Sequence, residues 1–160
     1  IPTKAKAGGS YINSFLATSD AQRNGYDDAL MFDDAGNVVE VSVANIILVY
    51  RGQIIIPDTG NAALEGITVR SALELLEHNG YKINRGKIDR SMVFTADELL
   101  VTGTAMKITY AESLDKRPIG QLDFNAKPQA GKFHKLLKSE YEKVINGEHE
   151  LSSEWLFIVE

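Results

Sequence analysis

Residues 38–57 read VVEVSVANIILVYRGQIIIP, three β-type runs with barely a break between them. Strand alternation through VVEVSV places Val39, Val41 and Val43 on one face and Val38, Glu40 and Ser42 on the other. NIILVY and IIIP follow, joined by the turn RGQ, and DALMF with the turn DDAGN leads in. Short apolar runs separated by turn chemistry predict an antiparallel meander of hairpins. Glu40 then sits on a strand face, where a carboxylate is ordinarily solvated.

Elsewhere the period changes. Ser10 to Asn24 reads as a helix, with Ile12, Phe15, Leu16 and Ala21 at near-helical intervals. Asn24-Gly25 closes it, because glycine tolerates the left-handed conformation past a helix end. A second helix is capped by Thr68 and runs to about His78, with Ala72, Leu73 and Leu76 inward and Asn79-Gly80 beyond. YKINRGKI is a strand candidate, and DRSMVFTAD a short helical turn capped by Asp89. ELLVTGTAMKITYAE reads as strand, glycine-containing turn, strand. The last helix, about Gln129 to Asn146, carries Phe133, Leu136, Leu137, Tyr141, Val144 and Ile145 on one stripe, and WLFIV packs as a terminal strand. Hairpins early and strand–helix alternation later indicate a single α+β domain, a barrel-like mixed α/β fold rather than a doubly wound sheet.

Composition removes several function classes. A net charge of −5 disfavours a nucleic-acid surface. No apolar run approaches the roughly 20 residues that span a bilayer. Cysteine is absent, which excludes disulfides, thiol catalysis and thiolate metal sites. His78, His134 and His149 lack ligand spacing, so no metal site is expected. A cytoplasmic setting is the default expectation.

Three stretches could carry chemistry. IPTKAKAGGSY holds Lys4 and Lys6 beside small residues. A lysine becomes a nucleophile when desolvation or a neighbouring charge lowers its pKa, and glycines leave room for a flat ring beside it. Lys4 and Lys6 share one side of an extended strand, so spacing does not choose between them. EGIT opens a helix whose unpaired N–H groups and dipole favour an anion, phosphate in particular. TGTAM places Gly103 between hydroxyl residues in a strand-to-strand turn, where amides can face an anion. Singly, these are a solvated lysine, an N-cap and a β-turn. In order along one chain with Glu40, they make the inventory pyridoxal phosphate requires: a Schiff-base lysine, a carboxylate for the ring nitrogen and a phosphate cradle.

These segments resemble the branched-chain aminotransferases, a branch of the fold-type IV pyridoxal-phosphate enzymes. KAGGSY is similar to that family's K-A-G-G-N-Y, and NGYDDALMFDDAGNVVE to its G-Y-[DQE]-[ED]-A-L-x-L-D-x-x-G-x-[VI]-x-E. ALEGITVRS matches its helix-start phosphate motif. TADELLVTGTAMKIT resembles T-A-D-E-V-F-x-[ST]-G-T-A-A-E-I-T, and DKRPIG resembles D-G-[RK]-x-[IV]-G. The resemblance runs from residue 1 to about Glu142 and implies the large domain of the D-amino-acid-aminotransferase-like fold. It implies Lys6 as the internal-aldimine lysine and proton shuttle, Tyr11 on the cofactor's ring hydroxyl and Glu40 on its pyridine nitrogen. Leu64 would pack beside the ring, Ile67, Thr68 and Thr104 would hold phosphate, and the Thr104–Ala105 turn would offer amides to the substrate carboxylate. The implied reaction moves an amino group from valine, leucine or isoleucine to 2-oxoglutarate by a ping-pong route. Relatives on the same fold include D-amino-acid and amine transaminases and aminodeoxychorismate lyases, and a non-catalytic homologue is the further alternative.

Two departures qualify the expectation. Where the family has E-G-[SA]-G-E-N, this chain reads EVSVAN, with valine at both glycine positions and Ala44 in place of the acid. Val41 and Val43 are expected to point away from Glu40, and the usual backbone path there is in question because valine adopts positive φ only at a cost. Ser10 and Met106-Lys107 also differ from the family wording, which puts substrate preference in question. Family members further carry an N-terminal small domain before the lysine segment, supplying a phosphate-binding arginine, substrate-side residues and part of a homodimer contact. Residues 1–160 are therefore expected to be the cofactor-binding large domain alone, catalytically weak in isolation.

Overall fold

The computed structural model describes residues 4–58, 60, 63–121 and 127–157. Its centre is a five-stranded mixed sheet built from β3 (Asn45–Tyr50), β4 (Gln53–Pro57), β5 (Ile83–Gly86), β6 (Glu98–Gly103) and β7 (Lys107–Tyr110), ordered β5-β4-β3-β6-β7. Among the described strands only the β4–β5 pair is parallel. Its crossover is α2 (Ile67–His78), which is what a parallel connection demands.

Alternation along the central strands supplies two cores. Ile47, Val49, Ile54, Ile56 and Leu100 face α2 and α4 (Lys132–Ile145). Ile46, Leu48, Leu99 and Val101 face the opposite side. That side is covered by the hairpin β1 (Leu30–Phe32) and β2 (Val38–Val41), by α3 (Arg90–Phe94), and by the segment leading to Ile119. Both faces are buried, so the strands read as unbroken apolar runs.

The expected elements are present with informative differences. The early β-runs form two hairpins in separate sheets, not one meander, because the chain bends at Ser42–Ala44 between β2 and β3. α1 spans Tyr11–Arg23 after a 3-10 turn at Gly8–Ser10, but its apolar stripe faces outward: Ile12, Phe15 and Leu16 are 66%, 70% and 61% exposed. The periodicity marks a face that wants a partner, and the described residues do not cover it. Gly66, not Thr68, is the N-cap of α2, so Thr68 lies inside the first turn. Asp89 caps α3 as expected, accepting the Ser91 N–H at 2.8 Å.

β8 (Ser113–Leu114) and β9 (Arg117–Pro118) form a minimal hairpin whose turn residues, Asp115 and Lys116, both have positive φ. Trp155 ends the short helix α5 (Ser152–Trp155) instead of starting a strand, because the chain turns back against α4, where the Ser152 hydroxyl donates to the Val144 carbonyl at 2.9 Å. Residues 158 and 159 of the expected terminal strand lie outside the described residues. No helix among the described residues is long and apolar enough to cross a membrane.

Candidate active site

Four separate segments converge on a cavity of about 250 Å³. Lys6 and Tyr11 come from the chain start and α1, Glu40 from β2, Leu64, Ile67 and Thr68 from the approach to α2 and its first turn, and Thr104 from the turn that follows β6. Ala105 lies in the turn between β6 and β7 and is not part of the lining. Lys4 borders a different cavity, of about 340 Å³, together with Asp58, Glu65 and Arg85. A larger cleft of about 930 Å³, between the α1 C-terminal half and β7, holds none of the candidate residues.

Lys6 is exposed, and its Nζ stands 5.7 Å from the centre of the Tyr11 ring, so amine and phenol present themselves together. The glycine turn beside them is open; a Cβ at Gly8 would meet nothing within 4 Å.

Glu40 owes its place to an irregularity in the β1–β2 ladder. Met31 pairs with Glu40 but Phe32 pairs with Val38, leaving Val39 as the extra residue of a bulge. The bulge shifts the phase of the strand. Val38 and Val41 consequently share the core, while Val39 and Glu40 both border the cavity. Val43, expected to point away from Glu40, also borders the cavity at 63% exposure, because the bend at Ser42 redirects it. Neither valine has positive φ; among the described residues the non-glycines that do are Arg51, Lys107, Asp115 and Lys116. The EVSVAN wording is thus compatible with this backbone path. Burial pushes the Glu40 carboxyl up to about 7, against the opposing pull of a hydrogen bond from the Leu64 N–H.

Three side chains that the sequence reading did not single out shape the site. Asn45, at the start of β3, holds the approach to α2: its Nδ2 donates to the Leu64 carbonyl at 2.7 Å and its Oδ1 accepts the Gly66 N–H at 3.0 Å. Gly66 has no room for a side chain there, since a Cβ would collide with Asn45 Oδ1. Asp28 accepts from the Ser42 hydroxyl and, at 3.3 Å, from the Ser42 N–H, fixing the bend beyond Glu40. Thr102 is fully buried beside the cavity and its hydroxyl has no partner. The one available cue was a polar residue at the end of an apolar run: Asn45 before IILVY and Thr102 after LLV.

The α2 N-terminus completes the arrangement. Among the described residues no side chain caps it, so its first-turn N–H groups and dipole are available to an anion. Thr68 is buried in that turn, and Ile67, 81% exposed, also borders the cavity. An amine, a desolvated carboxylate and an anion-seeking helix start share one small space.

Comparison with known proteins gives the same neighbourhood throughout. The family profile described as "Amino-transferase class IV" matches residues 2–114. A branched-chain-amino-acid aminotransferase of Pseudomonas aeruginosa is 36% identical over 157 residues, covering 98% of this chain and 49% of that protein. The Escherichia coli K12 protein of the same name is 31% identical, covering 98% and 48%. Among solved structures, the T.th. branched-chain amino acid aminotransferase complexed with N-(5'-phosphopyridoxyl)-L-glutamate superposes with a TM-score of 0.90 at 35% identity, covering 100% of this chain and 51% of that one. The Escherichia coli enzyme's structure gives 0.91 at 31% identity with the same coverage. The chain spans about half the length of the curated relatives it matches.

Proposed function

Because this chain belongs to the class IV amino-transferase family, we propose that it is the cofactor-binding large domain of a pyridoxal-phosphate-dependent branched-chain-amino-acid aminotransferase. The observation that carries the reading is the convergence of Lys6, Glu40 and the uncapped α2 start on one cavity of about 250 Å³. The residues present fit the cofactor: a primary amine, a carboxylate whose protonation is balanced near neutrality, and N–H and hydroxyl donors for a phosphate. When bound, pyridoxal phosphate supplies an aldehyde and an electron-withdrawing ring that stabilises negative charge developed at a substrate's α-carbon.

Lys6 would hold the cofactor at its aldehyde through its primary amine, and would carry a proton on and off the substrate α-carbon. Glu40 holds the proton on the ring nitrogen, a task suited to a carboxylate kept out of water. Tyr11 would hydrogen-bond the ring hydroxyl and Leu64 would pack beside the ring. Ile67 and Thr68, with Thr104, would hold the phosphate, while the Thr104–Ala105 amides, Ala105 lying just outside the cavity lining, would orient the substrate carboxylate. Valine, leucine or isoleucine is the amino donor and 2-oxoglutarate the acceptor. In support, solved relatives carry a phosphopyridoxyl-glutamate in one case and the branched 4-methylvaleric acid in another. The exposed Ile12, Phe15 and Leu16 stripe of α1 supports assembly of the complete enzyme as a homodimer or larger homo-oligomer.

The test is an absorbance titration of the chain with pyridoxal phosphate, then borohydride reduction and peptide mapping. The expected label falls on Lys6 and is lost in Lys6→Ala. A label on Lys4, or no absorbance band, would refute the assignment.

A further inference from the structure

Among the described residues four buried side-chain atoms lack a hydrogen-bond partner: Ser10 Oγ, Thr102 Oγ1, Gln121 Oε1 and His134 Nδ1. Two of them, Ser10 and Thr102, border the one candidate cavity. Thr102 is the more demanding case because the whole residue is 0% exposed, so water does not relieve its hydroxyl. A buried hydroxyl without a partner is destabilising, and folded proteins keep few of them. Valine fills the same volume without that penalty and suits a strand better. A threonine here therefore calls for a reason outside the free protein.

Register locates the hydroxyl. Thr102 on β6 stands opposite Asn45 on β3, and directly paired residues of an antiparallel ladder put their side chains on the same face. Asn45 does not satisfy it: its amide is committed to Leu64 and Gly66, the residues that deliver the chain into α2. Thr102 thus lies beside the side chain that grips the N-cap of α2, on the helix-start side of the cavity. Thr104, two residues on, borders the same space.

We propose that Thr102 is a ligand-binding residue whose hydroxyl donates a hydrogen bond to the phosphate of the cofactor, alongside the first turn of α2. The assignment rests on the reading of this cavity as a pyridoxal-phosphate site. It adds a donor that the motif reading did not name and explains why a strand otherwise apolar at Leu99, Leu100 and Val101 ends on a buried hydroxyl.

The experiment compares wild type, Thr102→Val and Thr102→Ser in the full 160-residue chain, by melting without ligand and by equilibrium titration with pyridoxal phosphate and with pyridoxal. Thr102→Val is expected to melt at the same or a higher temperature than wild type while its affinity for pyridoxal phosphate falls roughly tenfold. Affinity for pyridoxal, which has no phosphate, stays unchanged, and Thr102→Ser retains tight binding. Three results would each overturn the proposal. One is equal pyridoxal-phosphate affinity in wild type and Thr102→Val with Lys6 still labelled. Another is an equal loss for both ligands, which would place the hydroxyl on the ring. The third is a lower melting temperature for the ligand-free valine variant, which would show the hydroxyl already paired inside the protein. No binding of pyridoxal phosphate by the wild-type chain would overturn the underlying reading as well.

Discussion

Replacing Glu40 by glutamine should stabilise the cofactor-free chain, and by an amount that grows with pH. Burial raises the Glu40 carboxyl to about 7 from an ordinary 4.5. The folded state therefore holds a proton that the unfolded chain releases once pH passes 4.5. Stability contributed by the neutral form is complete below that pH, falls as pH climbs towards about 7, and is gone above it. At about 1.4 kcal/mol per pH unit the difference has a ceiling of about 3 kcal/mol. Partial solvent access reduces this to about 1–2 kcal/mol. Glutamine keeps the shape and still accepts the Leu64 N–H, but carries no charge at any pH. Urea unfolding at about pH 5 and about pH 8, on either side of the raised value, should show the advantage of Glu40→Gln over wild type widening by that amount. Other titrating groups cancel in the comparison. An advantage equal at both pH values, within about 0.5 kcal/mol, would refute the desolvation argument. Saturating pyridoxal phosphate should shrink or invert the advantage, because the wild-type carboxylate then gains a cationic ring nitrogen and binding favours the folded state.

Two further outcomes follow from the architecture. Burial holds the His134 imidazole below its usual value, opposed by its bond to the Ile108 carbonyl and by Glu98 and reinforced by Lys135 and Lys138. Wild type should therefore lose stability as pH falls below about 6.5, and His134→Phe, which preserves ring packing against Tyr110, should flatten that acid-side slope in pH-resolved denaturation. At Gly131, the N-cap of α4, an added Cβ would land on the Glu98 carboxylate, which accepts the Phe133 and His134 N–H groups at 2.9 Å each. Gly131→Ala should cost about 2–4 kcal/mol in urea denaturation with an unchanged slope; a loss below about 0.5 kcal/mol, on the order of ordinary surface changes, would show that the clamp relaxes freely.

Much of the fold was legible because the signals were local and strong. Ile46 to Val49 and Leu99 to Val101 alternate between two cores within single strands, and Asp89 caps α3 by its own side chain. What escaped depends on non-local pairing. Nothing in VVEV distinguishes a regular strand from one with a bulge at Val39, since valine suits either, yet that one residue turns Val39 and Glu40 together onto the cavity. A helical stripe announces a contact but not its partner, so Ile12, Phe15 and Leu16 were legible as a face and not as an outward one. Lys4 and Lys6 were equivalent by spacing, and the family wording chose Lys6; in the structure the two border different cavities. The Asn45 clamp joins residues 19 and 21 positions apart, beyond any local pattern.

The distribution of satisfied and unsatisfied groups argues for the location of the site without reference to any relative. Two helices that pack on the sheets have their starts tied down: α3 by Asp89 and α4 by the Glu98 carboxylate. Had the chain been shaped for stability alone, α2 would be tied in the same way, since such caps contribute about 1 kcal/mol. Instead Asn45 commits its amide to Leu64 and Gly66, one step before the turn, and the first-turn N–H groups are left without a side-chain cap. The same cavity holds the desolvated Glu40 and the unpartnered hydroxyls of Ser10 and Thr102. Each of these is a local cost, and one ligand bound in this space of about 250 Å³ would relieve all three kinds together. A ligand cationic where it meets Glu40 and anionic where it meets α2 suits both groups. A protonated pyridine aldehyde bearing a phosphate, the cofactor proposed above, meets both conditions.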